Sequence, residues 1–430
     1  MVNMGELFSY PRMMNIPMER VTLTEKENCG FILEAGDLLF ARQSLVREGA
    51  GQCSIFLEDT ENVCFESHLI RCRLDKEKAN PLYYYYYFRS PEGKLAIDAI
   101  IEQGAGAAGV RGSDLKKVLV PDVNKTFQDE VASKIDVIDK KIELNYQINQ
   151  TLEQIAQAIF KSWFVDFEPV KAKIDAIEAG EDVEGVTRAA MSAISAKTEE
   201  ELDQLQAEQP EYYIQLKTTA ELFPTAMQDS ELGKIPERWE VGSIYEISEV
   251  IYGAPFKSKY FNKNQEGYPL IRIRDLKTFS PTFYTNEDLS NGKLVYPGDI
   301  VAGMDAEFIP RIWIGEIGYL NQRVCMFKPM KPFIHNYFVF ETIKPKLKFF
   351  ENSKVGTTVI HLSKSDIDTF KILIPSKHIL EKFYENIDPI FNHLIVNSKE
   401  SRNLSQLCDI LLPKLLSGEI SVGAAEFAEE

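Results

Sequence analysis

From Val131 onward the apolar residues follow a four-three alternation: Val131, Ile135, Ile138, Ile142, Asn145, Asn149, Leu152, Ala156, Ile159 and Trp163, with Lys, Glu, Gln and Asp between them. This heptad rhythm predicts a long amphipathic helix with a seam for a partner helix. The rhythm returns 252 residues later as Phe383, Ile387, Ile390, Leu394, Asn397, Ser401, Leu404, Cys408, Leu411 and Leu415. A lone heptad run is most often an ordinary bundle or surface helix. Here the polar positions recur with the apolar ones, Asn145 as Asn397 and Asn149 as Ser401, so one helix is written twice. At 1.5 Å per residue each copy is ~50 Å long, and each Ile or Leu buried between them contributes ~1.5 to 3 kcal/mol. Parallel pairing would set Asn145 against Asn397. Antiparallel pairing, crossing near residue 147, would set Asn149 against Asn397 and Asn145 against Ser401. The spacing alone leaves both directions open.

Ahead of the first helix the pattern changes to short β-type runs at 31–33, 37–41, 53–57, 63–73 and 82–88, punctuated by Gly36, Gly49 and Gly51. Five consecutive tyrosines, Tyr83 to Tyr87, are read as a packed helix start or a buried strand rather than as a stacking surface. The repeat extends beyond the helices. Ser113-Asp114-Leu115 followed by Val118-Leu119-Val120-Pro121 reappears as Ser365-Asp366-Ile367 followed by Ile372-Leu373-Ile374-Pro375. Gly36-Asp37-Leu38-Leu39 reappears as Gly298-Asp299-Ile300-Val301, and Asn15-Ile16 as Asp275-Leu276. The second half has a front end, Gly233-Lys234-Ile235-Pro236 to Trp239, without a counterpart in the first, so the first domain is expected to be short at its amino end. The expected division is 1–124 as the first domain, 125–167 as the first long helix, 168–232 as an acidic connector, 233–380 as the second domain, 381–420 as the second long helix and 421–430 as a disordered tail.

Length and composition fit this division. A chain of 430 residues with 44% hydrophobic and 11% aromatic residues can build two or three cores. Six cysteines show no C-x-x-C spacing, and no apolar run is long enough to span a bilayer. They are read as reduced core thiols of a cytoplasmic protein. The net charge of −17 argues against a nucleic-acid partner only if it is spread evenly, and it is not. Residues 165–234 hold 16 acidic and 6 basic side chains, whereas residues 252–331 hold 11 basic and 8 acidic. The connector is expected to be helical with mobile parts, broken at Pro210 and Pro224.

A search for catalytic patterns finds no H-E-x-x-H, G-x-S-x-G or Walker loop. The Gly104 to Gly109 stretch lacks the Gly-Lys-Ser/Thr ending of a phosphate loop. Asp75 with Glu92 and Lys94 loosely fits a metal-dependent nuclease pattern of a kind that arises by chance. The chain is read as a non-enzyme with no metal site. What stands out instead are cations and amides beside Gly-rich loops: Arg42, Gln43, Ser44, Arg47 and Arg111 in the first half, and Lys257, Lys259, Tyr260, Arg272, Arg274, Arg311 and His361 in the second. Arginine can fork onto guanine or phosphate and glutamine onto adenine, so these are the side chains that DNA reading needs.

Several segments carry a family resemblance: Gly36 to Arg42, the Ser-Asp-Leu to Leu-Val-Pro stretch before each helix, Gln154 to Phe164, Leu232 to Pro236 with Trp239, and Leu412 to Ile420. In their order and duplication the whole chain resembles the specificity subunits of type I restriction-modification enzymes. The resemblance implies an α+β fold: two α/β target recognition domains joined by two long helices in a pseudo-twofold, antiparallel coiled coil. Each domain would read half of a split double-stranded DNA site, with the rod setting the gap. The helices would also dock two modification subunits. Adenine methylation, translocation and cleavage, with S-adenosylmethionine, ATP and Mg, would belong to the modification and restriction partners, and this chain would bind no cofactor and no membrane. Two other classes fit less of the sequence: a coiled-coil scaffold without a DNA role, and a nuclease using Asp75, Glu92 and Lys94.

Overall fold

A computed structural model describes residues 1–24, 30–104, 106–353 and 360–420. Two helices of 40 residues dominate it, Lys125–Phe164 and Lys377–Leu416. The first begins where the Asn124 side chain accepts the Phe127 N–H at 2.8 Å, and the second stops at Gly418, whose φ of +74° suits glycine. The chain divides into two compact units, one of Met1–Leu144 with the chain from Ser401 onward, the other of Asn145–Glu400. The expected tail, 421–430, lies outside the described residues, as do Cys29 and most of the small-residue loop before Leu362.

In the first unit, Val131, Ala132 and Ile135 from the early part of the first helix share a core with Leu412 and Leu415 from the late part of the second. In the second unit the order is reversed: Ala156, Phe160, Trp163 and Phe164 pack with Phe383, Ile387 and Phe391. Early residues meet late ones in each case, so the helices pair antiparallel. The polar positions fix the register. Asn397 Nδ2 donates to Asn149 Oδ1 at 3.0 Å, and Asn149 Nδ2 donates to Ser398 Oγ at 2.9 Å and to the Leu394 carbonyl at 3.2 Å. Asn145 is fully buried and donates to Glu400 Oε2 at 2.8 Å rather than to the expected Ser401. Ile138, Ile142, Leu152, Ile390, Leu394, Leu404 and Leu411 are only half-buried, because a two-helix seam covers one flank of each residue.

Removing one amide of this network strands its partner in a dry seam, whereas removing both does not. Asn149→Leu is therefore expected to lower stability by about 1 to 3 kcal/mol, and adding Asn397→Leu to restore part of that loss. Urea unfolding of the single and double variants reads the coupling; strictly additive losses would contradict it.

The first unit holds a four-stranded sheet ordered Arg12–Met14, Cys53–Glu58, Leu38–Ala41, Leu69–Cys72. Leu38–Ala41 is buried at every residue, as a central strand covered on both faces must be. The preceding turn needs Gly36 at φ +92° and Asp37, nearly fully buried, which Arg73 holds at 2.7 Å. The expected run 82–88 is not a strand. Asn80 caps a helix, Pro81–Arg89, in which all five tyrosines are buried. A helix can bury consecutive residues only when it is covered on several sides, and here its Tyr86 hydroxyl donates to Asp139 of the long helix at 3.0 Å while accepting from Arg12 at 2.7 Å. The expected runs at 31–33 and 63–73 shrink to an isolated bridge, Ile32 with Cys64, and the strand Leu69–Cys72.

The second unit repeats the scheme with an antiparallel sheet ordered Ser248–Tyr252, Val324–Pro329, Ile300–Gly303, Pro310–Ile312. Gly298 again stands at positive φ and Asp299 again is buried, which raises its carboxyl pKa. The expected echo of Asn15-Ile16 in Asp275-Leu276 is not kept. Arg12–Met14 is an edge strand parallel to Cys53–Glu58, whereas Ile273–Leu276 is a 3-10 turn. A second, five-stranded sheet has no equal among the described residues of the first unit, where three strands of two residues stand instead. The connector folds into four helices, Glu168–Glu178, Val183–Ser195, Glu199–Glu208 and Pro210–Glu221. Its sparse apolar residues, among them Met191, Leu202, Leu205 and Leu216, converge on one small core. Pro210 does not break this module but starts its last helix, at the position where the missing N–H is harmless.

Candidate nucleic-acid interface

The amides and cations expected in the first unit do not share one state. Gln43 and Ser44 form a short strand paired with Ala108–Gly109, and Gln43 Nε2 lies 3.0 Å from His68 Nδ1. Arg42 is exposed, and its guanidinium donates a long bond, 3.4 Å, to the Ser67 carbonyl. Arg47 is engaged by Asp98 at 2.8 Å, which holds the Asp98 carboxyl below its ordinary pKa, and Arg111 by Glu102 at 2.6 Å. Both pairs are exposed to solvent and salt, so a phosphate can replace the carboxylate at little cost. On either side of Ala105, which lies outside the described residues, the strands Glu102–Gln103 and Ala108–Gly109 pair antiparallel and the Gly104 N–H donates to the Ala107 carbonyl, which is not the strand-to-helix frame of a phosphate loop.

In the second unit the structure separates the expected residues into four places. Lys257, Lys259 and Tyr260 occupy an exposed loop in which the Lys259 ammonium stacks 4.7 Å from the Tyr260 ring. Arg272 faces inward. It forks onto the nearly fully buried Asp275 at 3.1 and 3.3 Å and stacks 4.4 Å from Phe283, so its first duty is to hold the 3-10 turn. Arg274 and Arg311 come together. The turn Ile273–Leu276 packs on the strand Ile300–Gly303, and Val301 pairs with Arg311 across the sheet, so a groove of about 170 Å³ opens between Arg274, Lys277, Ile309 and Arg311. Gly303 lines its floor, where an added Cβ would come within 2.8 Å of the Glu307 carbonyl oxygen. Among the described residues neither Arg274 nor Arg311 has an ion pair, whereas Lys277 stands 3.5 Å from Glu307. Beyond the strand end, Asp305 binds His361 Nδ1 at 2.6 Å and Arg323 Nε at 3.4 Å.

Sequence reading missed Lys277 and Arg323. Lys277 could have been found from its place three residues beyond Arg274, since a tight turn presents both on one side. Arg323 carries no such signal. Asp75 lies 3.4 Å from Lys78 in an exposed turn, and Glu92 opens the helix Pro91–Asp98. Among the described residues no group of three or more His, Cys, Asp or Glu is placed to hold a metal ion, and no helix is long and apolar enough to cross a membrane.

A family model for the type I restriction modification DNA specificity domain matches residues 236–405. The type I restriction enzyme HindI specificity subunit of Haemophilus influenzae is 31% identical over 410 residues, 90% of this chain and 87% of that protein. The MjaIX specificity subunit of Methanocaldococcus jannaschii is 27% identical, over 79% of this chain and 69% of that protein. Among solved structures, the S subunit of a type I system from M. genitalium has 16% identity and a TM-score of 0.46, over 90% of this chain and 84% of that one. The relationship to the HindI subunit, nearly end to end for both proteins, places the chain in a family: it belongs to the type I restriction enzyme specificity subunits.

Proposed function

We propose that this chain is the DNA-reading subunit of a type I restriction-modification complex, with each β-rich lobe reading one half of a bipartite site. Family membership supports the activity, and the observation that ties it to residues is the Arg274–Lys277–Arg311 groove, where two guanidiniums without ion pairs among the described residues line an opening in an acidic chain. Guanidiniums held on a turn and a strand lose little freedom on forking onto a guanine edge. Arg42, Gln43, Ser44, Arg47 and Arg111 would serve the first half-site, with Lys257, Lys259, Tyr260, Arg323 and His361 steadying the second through phosphates. The long helices would dock two modification subunits, and those in turn the restriction subunits. Methyl transfer from S-adenosylmethionine, and translocation and cleavage driven with ATP and Mg, would be carried out by those partners in the cytoplasm.

The test is a map of methylated adenines in cells carrying the complex with the natural chain or with Arg311→Ala. The variant is expected to lose about 1 to 3 kcal/mol per base contact and to relax one half-site while the other stays sharp. Equal relaxation of both halves, or an unchanged map, would overturn the two-reader assignment.

A further inference from the structure

The two lobes mount one residue in the same way. In the first, the chain leaves the strand Leu38–Ala41 through Arg42, whose carbonyl accepts the Val110 N–H at 2.9 Å, and Gln43 then pairs with Gly109. In the second, the Met304 carbonyl accepts the Leu362 N–H at 2.8 Å, and Asp305 pairs with His361. The repeat spacing that equates Gly36 with Gly298 and Ser113 with Ser365 makes these the same positions. The backbone N–H just before the mounted residue also has one task in both lobes. That of Arg42 donates to the His68 carbonyl and that of Met304 to the Arg323 carbonyl, each at 2.9 Å. A second side chain is thereby brought alongside: His68 Nδ1 lies 3.0 Å from Gln43 Nε2, and Arg323 Nε 3.4 Å from Asp305 Oδ2. One mount thus carries an amide in the first lobe and a carboxylate holding cations in the second, as two readers of unlike half-sites require.

The surroundings of Gln43 add a second feature. It borders a notch of about 400 Å³ walled by Met4, Phe8, Leu45, His68 and Ala107. Leu45 is 87% exposed and contributes almost nothing to a core, yet the turn that carries it is tight. The Val46 N–H donates to Ser44 Oγ at 3.3 Å, and a Cβ on Gly49 would come within 2.3 Å of the same oxygen. An amide that gives one N–H to His68 still has a second N–H and a carbonyl oxygen. Those match adenine N7 and the N6 amino group in the major groove, and the thymine of the same pair adds a 5-methyl group beside them. We infer that Gln43 and Leu45 together read one A·T base pair of the first half-site, the amide on adenine and the apolar wall on the thymine methyl, with His68 positioning the amide. The inference rests on the DNA-reading assignment of the first lobe and adds to it the identity of a base pair.

Complexes carrying the natural chain, Gln43→Ala, Leu45→Ala, His68→Ala or His68→Asn test it, by maps of methylated adenines in cells and by binding to duplexes of the mapped site. Gln43→Ala is expected to relax one position, an A·T pair in the half-site that Arg311→Ala leaves sharp, and to lower the preference for that pair roughly five- to hundredfold. Replacing its thymine by uracil removes only the methyl group. That change should weaken binding of the natural chain about threefold to fourfold and leave Leu45→Ala almost unaffected. His68→Ala is expected to relax the same position, and His68→Asn, whose Oδ1 can accept the same amide N–H, to restore it. A merely structural histidine would move the thermal transition and not the base preference. A relaxed position that is G·C, a Gln43→Ala complex whose map and duplex preferences match the natural ones, or an equal response of the natural chain and Leu45→Ala to uracil overturns the proposal. If Arg311→Ala still relaxes its own half-site in that case, the two-reader assignment stands and only the A·T reading falls; if neither variant alters map or binding, both fall.

Discussion

A chain carrying Phe383→Ala is expected to lose about 3 to 5 kcal/mol of stability, enough to unfold a marginal lobe at 37 °C. Phe383 is fully buried, at the point where the second long helix crosses the end of the first. Its ring meets four others, with centroids 6.1 Å from Phe160, 6.1 Å from Trp163, 5.0 Å from Phe164 and 6.0 Å from Phe338. Three of these come from the first long helix and the fourth from the helix Asn336–Ser353, which overlies the sheet. Truncation therefore opens a cavity whose walls are anchored in three separate elements and cannot collapse together. Its repeat counterpart Val131 is equally buried but smaller, so Val131→Ala is expected to cost about 1.5 to 3 kcal/mol. Urea unfolding measures both, and a Phe383→Ala loss under 1 kcal/mol would show that the seam is not what holds the lobe. Phe383→Leu should recover most of the difference.

Phe383 also shows what the sequence makes legible. Its place in the seam follows from a rhythm of four and three, because one period of a helix fixes which side chains share a face. The same rhythm marks Asn149 and Asn397 as a pair once antiparallel packing is chosen, and the observed 3.0 Å bond between them is the register that choice requires. The choice itself rests on the family resemblance, since parallel packing satisfies the same spacing. Periodicity is silent where a segment is covered from several sides: Tyr83 to Tyr87 carry no polar face, so nothing in their order separates helix from strand. Ion pairing is equally hidden. Arg47 finds Asp98, Arg111 finds Glu102 and Arg272 finds Asp275 through tertiary approach or a tight turn. Composition alone therefore presents Arg272 and Arg311 as equals, although one is committed to a buried carboxylate and the other lines an open groove. The connector is legible as helical and acidic. Its core is not, because few apolar residues spread over four short helices converge only in three dimensions.

Stability of the second lobe is expected to fall as pH drops from 6.5 toward 4, with His335 supplying up to about 3 kcal/mol of the change. The imidazole is nearly fully buried between the rings of Tyr384 and Phe391, at 4.9 and 4.8 Å. Its Nδ1 accepts the Tyr337 N–H at 3.0 Å and so carries no proton, while Nε2 stands 3.5 Å from Asp388. Burial pushes its pKa down to about 4, and Asp388 opposes that shift without cancelling it. The unfolded chain, titrating near the ordinary 6.5, then binds the proton more tightly than the folded one. Stability from this group is complete above about 6.5, declines as pH falls through the interval and is lost below about 4. Asparagine at 335 can accept the same Tyr337 N–H at the start of the helix and cannot titrate. Carboxylates held by cations, Asp136 and Glu351 among them, are shifted below their ordinary values and also weaken the fold in acid. The informative quantity is therefore the difference between the natural chain and His335→Asn in urea unfolding at pH 7, 5.5 and 4. A gap that closes or reverses as pH falls assigns the loss to His335, and a constant gap assigns it to the carboxylates instead.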